Sequence, residues 1–184
     1  NGQFRLNDPS KPGEVMPTYQ CATCGKMHEG PALCFGPWAP VLYETIPGEQ
    51  RAARAELTDD VCAIDNEHFF IRGNLNLPII GNSEHFSWLV WVSLSRQNMQ
   101  RMLETWGRPG REAVPPYFGW LSTSLPGYPD TVNLKTNVHT CPVGIRPLIE
   151  LEPTDHPLAR EQREGITWER VLEINSLAEH GHKG

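Results

Sequence analysis

The stretch HFFIRGNLNLPI, residues 68–79, alternates in polarity at nearly every second position. A period of two is typical of a β-strand, because successive side chains point to opposite faces of the sheet. The residues predicted to face inward are Phe69, Ile71, Gly73, Leu75, Leu77 and Ile79. Those predicted to face outward are His68, Phe70, Arg72, Asn74 and Asn76. A glycine inside a strand indicates a bulge or the close approach of another segment, so Gly73 is expected to touch a neighbour.

The residues that follow predict a second strand and then a helix. Residues 86–94 are apolar on both faces, which is typical of a central strand with at least one covered flank. Ser95 is predicted to cap a helix at 96–106, and Gly107 to end it.

The remaining elements decide the predicted fold class. Alternating residues indicate further strands at 131–139 and 148–152, and a short helix is predicted at 48–57. The chain is expected to end in two helices. Their predicted caps are Thr154 or Asp155 for a helix that runs to Arg163, and Thr167 for the last helix. Because strands fill the middle and helices the end, the predicted class is α+β, with a mainly antiparallel β-sheet and flanking helices.

Length and charge restrict the function classes. The chain has 184 residues, 39% of them apolar, and a net charge of −6. Residues 1–15 are expected to be a flexible leader or a vector-derived tail, and residues 16–184 a single domain whose segment 16–40 is rich in cysteine. An acidic chain argues against broad nucleic-acid binding, and no apolar run is long enough for a membrane span. An odd number of unevenly spaced cysteines indicates a cytoplasmic location.

The most specific chemical motif is Cys21-Ala-Thr-Cys24-Gly25. Two thiolates at this spacing hold one side of a tetrahedral zinc ion, and the glycine permits the sharp turn. His28 is a candidate third ligand, and further candidates are Cys34, Cys62, His139 and Cys141. A redox dithiol would need a helix after the motif, which the glycines and prolines do not predict; two inert thiols are the remaining alternative. We therefore expect a structural zinc ion that stabilises a loop-rich segment.

The outward strand positions predict a polar sheet face. Its members are His68, Arg72, Asn74, Asn76, Asn133, Lys135, His139, Glu150 and Glu152. Aromatic residues between 117 and 128 are expected to form one side of a binding site on this face. A merely solvated face is the competing interpretation, because polar residues are expected on the exposed side of a sheet.

If the protein is an enzyme, this face predicts a metal-assisted hydrolase. The candidate catalytic residues are His139, Glu150, Glu152, Asp155 and His156. Arg72 or Lys135 would hold an anionic substrate. The sequence lacks the phosphate-loop, dinucleotide-binding, zinc-protease and α/β-hydrolase motifs, so no enzyme class has its usual support.

Several motifs together resemble one bacterial family. They are Cys21-Ala-Thr-Cys24-Gly25 with His28, Asp60-Val-Cys62-Ala-Ile64-Asp65, Phe69-Phe70-Ile71-Arg72-Gly73, Trp91-Val-Ser-Leu-Ser95, Tyr117-Phe-Gly-Trp120-Leu121, Leu134-Lys-Thr, Val138-His139, and Ile149-Glu-Leu-Glu-Pro-Thr-Asp-His-Pro-Leu158. This set resembles the bacterial domain of unknown function 2199 from about residue 19 onward. The resemblance implies a small bacterial cytoplasmic protein and places Arg72, His139, Asp155 and His156 within recurring motifs, but it implies no catalytic residue.

The function expected from these observations is a zinc-stabilised binding or interaction module rather than an enzyme. Its partner would be an unidentified protein or small molecule. An immunity-type or other partner-binding protein is a further alternative, and only the charge of −6 favours it. The hydrolase hypothesis stays open.

Overall fold

The computed structural model describes residues 18–20 and 27–180. Its strands are β1 (Thr18–Gln20), β2 (Met27–Glu29), β3 (Cys34–Phe35), β4 (Ala55–Leu57), β5 (Val61–Ile64), β6 (His68–Pro78), β7 (His85–Leu94), β8 (Tyr117–Leu121), β9 (Lys135–His139) and β10 (Leu148–Leu151). Its α-helices are α1 (Val41–Glu44), α2 (Gly48–Arg54), α3 (Arg96–Thr105), α4 (Pro157–Glu164) and α5 (Trp168–His180). The predicted α+β class is confirmed.

Five strands close into a barrel in the order β6, β7, β8, β9, β10 and back to β6. The β6–β7 ladder is the longest, running from Phe69 opposite Leu94 to Pro78 opposite His85. The pairs from β6 to β10 through β7, β8 and β9 are antiparallel, but β10 meets β6 in parallel, where Leu148 lies opposite Asn74. β3 also pairs with β7 in parallel, while β5 and β4 extend the sheet from β6. The sheet is therefore mixed, and the prediction of a mainly antiparallel sheet is only partly right.

The inward side chains of the barrel strands form the main core. Ile71, Leu75, Leu77 and Ile79 are buried in it, as the alternation of residues 68–79 predicts. Helices α3, α4 and α5 add the buried side chains Met99, Met102, Leu158, Val171 and Ile174. Gly73 is a close-approach glycine, because a β-carbon there would lie 2.7 Å from Ile149 Cδ1 and from Pro147 O.

A second, smaller core covers the outer face of β6 and β7. Phe70 and Trp91 project outward from the barrel and pack with Cys62 and Ile64 of β5 and with Ile46. This layer explains why β7 is apolar on both faces: its inner side contacts the barrel core and its outer side contacts this cluster. The sequence-based expectation of a central covered strand is confirmed.

Several element boundaries differ from the prediction. The helix expected at 48–57 ends at Arg54, and residues 55–57 form β4. The strand expected at 131–139 begins only at Lys135, after a turn in which Asn133 has a positive φ of 66°. Residues 117–121 form β8, where no strand was predicted. These differences arise because pairing partners, rather than local pattern, decide where a strand begins and ends.

The helix caps are partly as predicted. Ser95 accepts a hydrogen bond from Asn98 N at the start of α3, and Thr167 accepts one from Arg170 N at the start of α5. The cap of α4 is His156, whose Nδ1 accepts from Leu158 N, and not Thr154 or Asp155. In the part of the chain that the structure describes, no helix has the length and apolarity to cross a membrane.

The short strands β1 and β2 pair with each other as a separate two-stranded sheet. Thr18 lies opposite Glu29, and Tyr19 opposite His28. The predicted Cys21-x-x-Cys24-Gly25 turn falls between these strands and lies outside the described residues, as does the predicted leader at 1–15.

Candidate aromatic groove

Two aromatic rings stand exposed on the outer side of β8. Phe118 is 41% exposed and Trp120 is 40% exposed. Their ring centroids are 5.2 Å apart and their planes meet at 83°, an edge-to-face arrangement. Residues at positions i and i+2 of a strand share a face, so the backbone of β8 holds both rings on one surface. Large aromatic side chains that remain exposed at fixed positions are typical of binding surfaces.

The aromatic pair borders a groove of about 410 Å³. Three elements form its walls: β8, the turn between β5 and β6, and the junction of β7 with α3. The lining residues are Glu67, His68, Phe69, Ser93, Leu94, Ser95, Asn98, Phe118, Gly119 and Trp120. Apolar rings beside a few hydroxyl, amide and imidazole groups are the usual composition of a binding site. We call this surface the aromatic groove.

The turn that forms one wall is held by arginines from two helices. Asp65 and Asn66 have positive φ angles of 52° and 50°, as a tight hairpin turn requires. Arg96 donates hydrogen bonds to Asn66 O and Asn66 Oδ1, and its guanidinium carbon lies 4.8 Å from the centroid of Phe69. Arg54 Nη2 lies 2.6 Å from Asp65 Oδ2, and this hydrogen bond holds the pKa of Asp65 below its usual value. The wall is therefore formed without a ligand.

The groove lies where the neighbouring strand ends. The β7–β8 ladder consists of Val92 opposite Leu121 and Ser93 opposite Trp120. After Leu94 the chain turns into α3, so Phe118 lies beyond the last residue pair of this ladder. The edge of β8 at Phe118, which follows Pro115, Pro116 and Tyr117, therefore lies beside the exposed rings without a partner in the β7–β8 ladder.

The predicted polar sheet face is divided between different places on the barrel. His139 and Glu150 form one exposed polar pair, with Nε2 2.7 Å from Oε2, and Lys135 and Glu152 form an ion pair at 4.0 Å. Both pairs lie on the outer side of β9 and β10, where exposed ion pairs add little stability. His68 instead lines the aromatic groove.

Arg72, Asn74 and Asn76 point outward from β6, as predicted. Arg72 is buried beneath Pro37, and Asn76 Oδ1 accepts a hydrogen bond from Ser87 Oγ. Asn74 lies opposite Leu148 of β10, and Leu148 lies opposite His139 of β9, so these strands place part of the predicted polar face side by side.

The candidate hydrolase residues do not assemble into a metal centre. His156 caps α4 through Nδ1, and Asp155 beside it is exposed. His139 and Glu150 are paired with each other. Across residues 18–20 and 27–180, no three histidine, cysteine or acidic side chains form a group that would hold a metal ion.

The described cysteines lie in three different environments. Cys62, a candidate zinc ligand, is fully buried in the second core, where burial raises the pKa of its thiol to about 12. Cys141 Sγ lies 3.9 Å from His139 O. Cys34 is half-buried on β3, and all three thiols are free. The cysteine pair Cys21 and Cys24 falls outside the described residues, and of His28 only the backbone pairing is described.

Sequence reasoning missed most of the polar lining of the groove. Ser93 and Asn98 lie in a predicted strand and a predicted helix, and Glu67 lies in no predicted element. Ser93 is a detectable signal, because it is, like Ser87, a polar residue at an outward position of a largely apolar strand. The proximity of these three residues to Phe118 depends on the β7–β8 pairing, which no local pattern reveals.

Comparison with known proteins identifies a family without an assigned activity. A family model described as an uncharacterized protein conserved in bacteria matches residues 20–166. The matched range includes every barrel strand and the whole aromatic groove. No curated protein and no solved structure matches the chain.

Proposed function

Since this chain belongs to the bacterial family named domain of unknown function 2199, and that name specifies no activity, we propose a function from the site itself. The protein is an interaction module that binds an extended peptide segment of a partner protein in the aromatic groove. The observation that carries the proposal is the exposed edge-to-face pair of Phe118 and Trp120 beside a preformed groove.

The geometry of the groove favours an extended chain as its occupant. A peptide laid along β8 continues the ladder beyond Ser93, where β7 has turned away. Its backbone then hydrogen-bonds to the free edge, and alternate side chains reach the rings. Binding through a rigid aromatic pair loses little side-chain entropy, because both rings are already ordered.

The charge of the groove indicates which peptides it prefers. Glu67 is the one carboxylate among the described lining residues, and no lysine or arginine lines the groove there. The chain as a whole carries a net charge of −6. A peptide with a basic residue near Glu67 and an apolar residue against the rings is therefore the best match, because complementary charge favours both encounter and register.

A peptide-display library selected against the full chain tests this function. We expect enrichment of peptides that combine apolar and basic residues, with binding lost in Phe118→Ala/Trp120→Ala. Trp168→Ala is the matched control, because Trp168 is 39% exposed but lies outside the groove. Failure to enrich any peptide, or equal binding by the double variant, would contradict the proposal.

The module is also proposed to carry a structural zinc ion bound by Cys21 and Cys24, with His28 as a third ligand. The support is the Cys-x-x-Cys-Gly motif and its position between β1 and β2. Two paired strands of three residues have little stability alone, so a metal ion at their connection would add folding free energy. A reducing cytoplasm, in which thiols persist, is the proposed location.

A further inference from the structure

The side chain of Arg72 is buried on the outer face of β6. Only 6% of the residue is exposed. Trp91 lies directly opposite on β7, and the guanidinium carbon is 5.5 Å from the centroid of its ring. Arg72 Nη2 donates a hydrogen bond of 2.8 Å to Pro37 O, which also accepts from Trp91 Nε1. The segment 33–38 therefore covers this guanidinium from one side.

The buried guanidinium has too few partners. Its Nε is buried and has no hydrogen-bond acceptor. Among the described residues, no carboxylate lies within ion-pair distance of Arg72. Burial is the main cause that lowers the pKa of Arg72, and the neighbouring charge of Arg146 also lowers it, while Asp59, Asp60 and Cys34 act in the opposite direction. A buried charge without an anionic partner is costly, so the free energy of this site improves when an anion is supplied.

Arg111 demonstrates what a purely structural buried arginine looks like in the same protein. It is 3% exposed, which is comparable with Arg72. Its guanidinium donates to the backbone carbonyl oxygens of Trp106, Cys141, Pro142 and Ile145 and lies over the ring of Trp106. Carbonyl groups thus satisfy Arg111 on all sides, whereas Arg72 makes one such bond. The fold supplies hydrogen-bond acceptors to the buried Arg111, whereas Arg72 keeps N–H donors that have no acceptor.

A second arginine lies beside Arg72 and reaches solvent. Arg146 donates from Nε to Asp60 Oδ1 at 2.6 Å, and its side chain is 26% exposed. Asp60 in turn accepts from Arg72 N through its backbone oxygen, and Asn74 N donates to Pro147 O. These backbone bonds hold the segment containing Arg146 against β6. The Nη groups of Arg146 make no bond to another described residue, so both arginines retain donors.

We propose that Arg72 and Arg146 form a binding site for a small oxyanion, the carboxylate or phosphate group of a metabolite, on the outer face of β6. Planar guanidinium groups bind such groups through paired N–H donors, which gives both charge neutralisation and orientation. Arg146 admits the ligand from solvent, and Arg72 binds its innermost oxygens. The half-buried Asn74 lies two residues along the same face of β6 and supplies a neutral amide beside the charges.

Calorimetric titration of the full chain with inorganic phosphate and, separately, with succinate tests the site. We expect at least one of the two to bind, and Arg146→Gln to weaken it by about tenfold, since one charge-assisted contact is lost. Arg101→Gln is the control, because Arg101 is an exposed arginine on α3. Binding of phosphate alone identifies a phosphorylated ligand, and binding of succinate alone a carboxylate.

The variant Arg72→Met distinguishes an arginine that binds an anion from one that only stabilises the fold. We expect its melting temperature in anion-poor buffer to equal or exceed that of the wild type, because a buried unpaired charge has been removed. We also expect the bound anion to raise the melting temperature of the wild type but not of this variant. The proposal is overturned if the wild type binds neither anion, or if Arg72→Met and Arg146→Gln bind as the wild type does.

Discussion

Gly119 on β8 lies so close to Val92 on β7 that a β-carbon at the glycine would be 2.4 Å from Val92 Cγ1. It would also be 2.7 Å from the backbone oxygen of Ser93. Gly119 lies between Phe118 and Trp120 in the chain. The distance of the two aromatic rings from the barrel therefore depends on how closely Gly119 packs against β7. The absence of a side chain at this position is therefore a condition for both barrel closure and groove shape.

Gly119→Ala is expected to lower the free energy of unfolding by about 1–3 kcal/mol, because the added methyl group meets backbone atoms that have little freedom to move. Urea unfolding followed by circular dichroism measures the change. Gly48→Ala is the matched control, since nothing lies within 4 Å of a β-carbon there. Equal stability of Gly119→Ala and wild type would contradict the close packing of β7 and β8.

Trp120→Ala is expected to weaken peptide binding while it changes the stability of the protein little. Because Trp120 is 40% exposed and lies outside the two cores, its loss should cost less than about 1 kcal/mol of unfolding free energy, whereas the buried Trp88→Ala should cost about 3–5 kcal/mol. Trp88 is 1% exposed within the barrel core. Thermal denaturation of the two variants gives the comparison. A large destabilisation by Trp120→Ala would indicate that the ring is structural, and would remove the main support for the groove as a binding site.

The zinc proposal predicts about one zinc ion per chain in protein purified without a metal-affinity tag. Elemental analysis should find this metal in the wild type and lose it in Cys21→Ser/Cys24→Ser, with a lower melting temperature because the metal contributes to folding. Cys62→Ala serves as the control, since Cys62 lies in the apolar second core. A wild type without metal would refute the site, and retention of zinc by the double variant would place it elsewhere.

Burial of Cys62 predicts a loss of stability at alkaline pH. The pKa of its thiol is raised from a usual value of 9.0 to about 12 in the folded protein. Above the lower value the unfolded chain releases this proton while the folded chain keeps it, so stability falls as pH rises through this window. Unfolding free energies measured from neutral pH upward should therefore decline less steeply in Cys62→Ala. Identical slopes would show that the thiol does not titrate with unfolding.

Part of this architecture is readable from local pattern. The alternation of residues 68–79 predicts β6 and its buried face, and the doubly apolar 86–94 predicts a covered β7. Ser95 and Thr167 are correctly predicted as caps, because a hydroxyl before a helix bonds a nearby backbone N–H whatever surrounds it. No strand was predicted at β8. Its buried residues Tyr117, Gly119 and Leu121 alternate with exposed ones, but the neighbouring prolines and glycines are typical of a turn.

What the sequence by itself determined is the α+β class, the family and the inner and outer sides of the long strands, because side-chain alternation and capping depend on nearest neighbours along the chain. Only the tertiary structure decided that β10 returns to β6 and closes a barrel. The end of β7 brings Glu67, Ser93 and Asn98 to the exposed Phe118. These are contacts between residues far apart in the chain, set by hydrogen-bond register between strands, and no local pattern encodes that register.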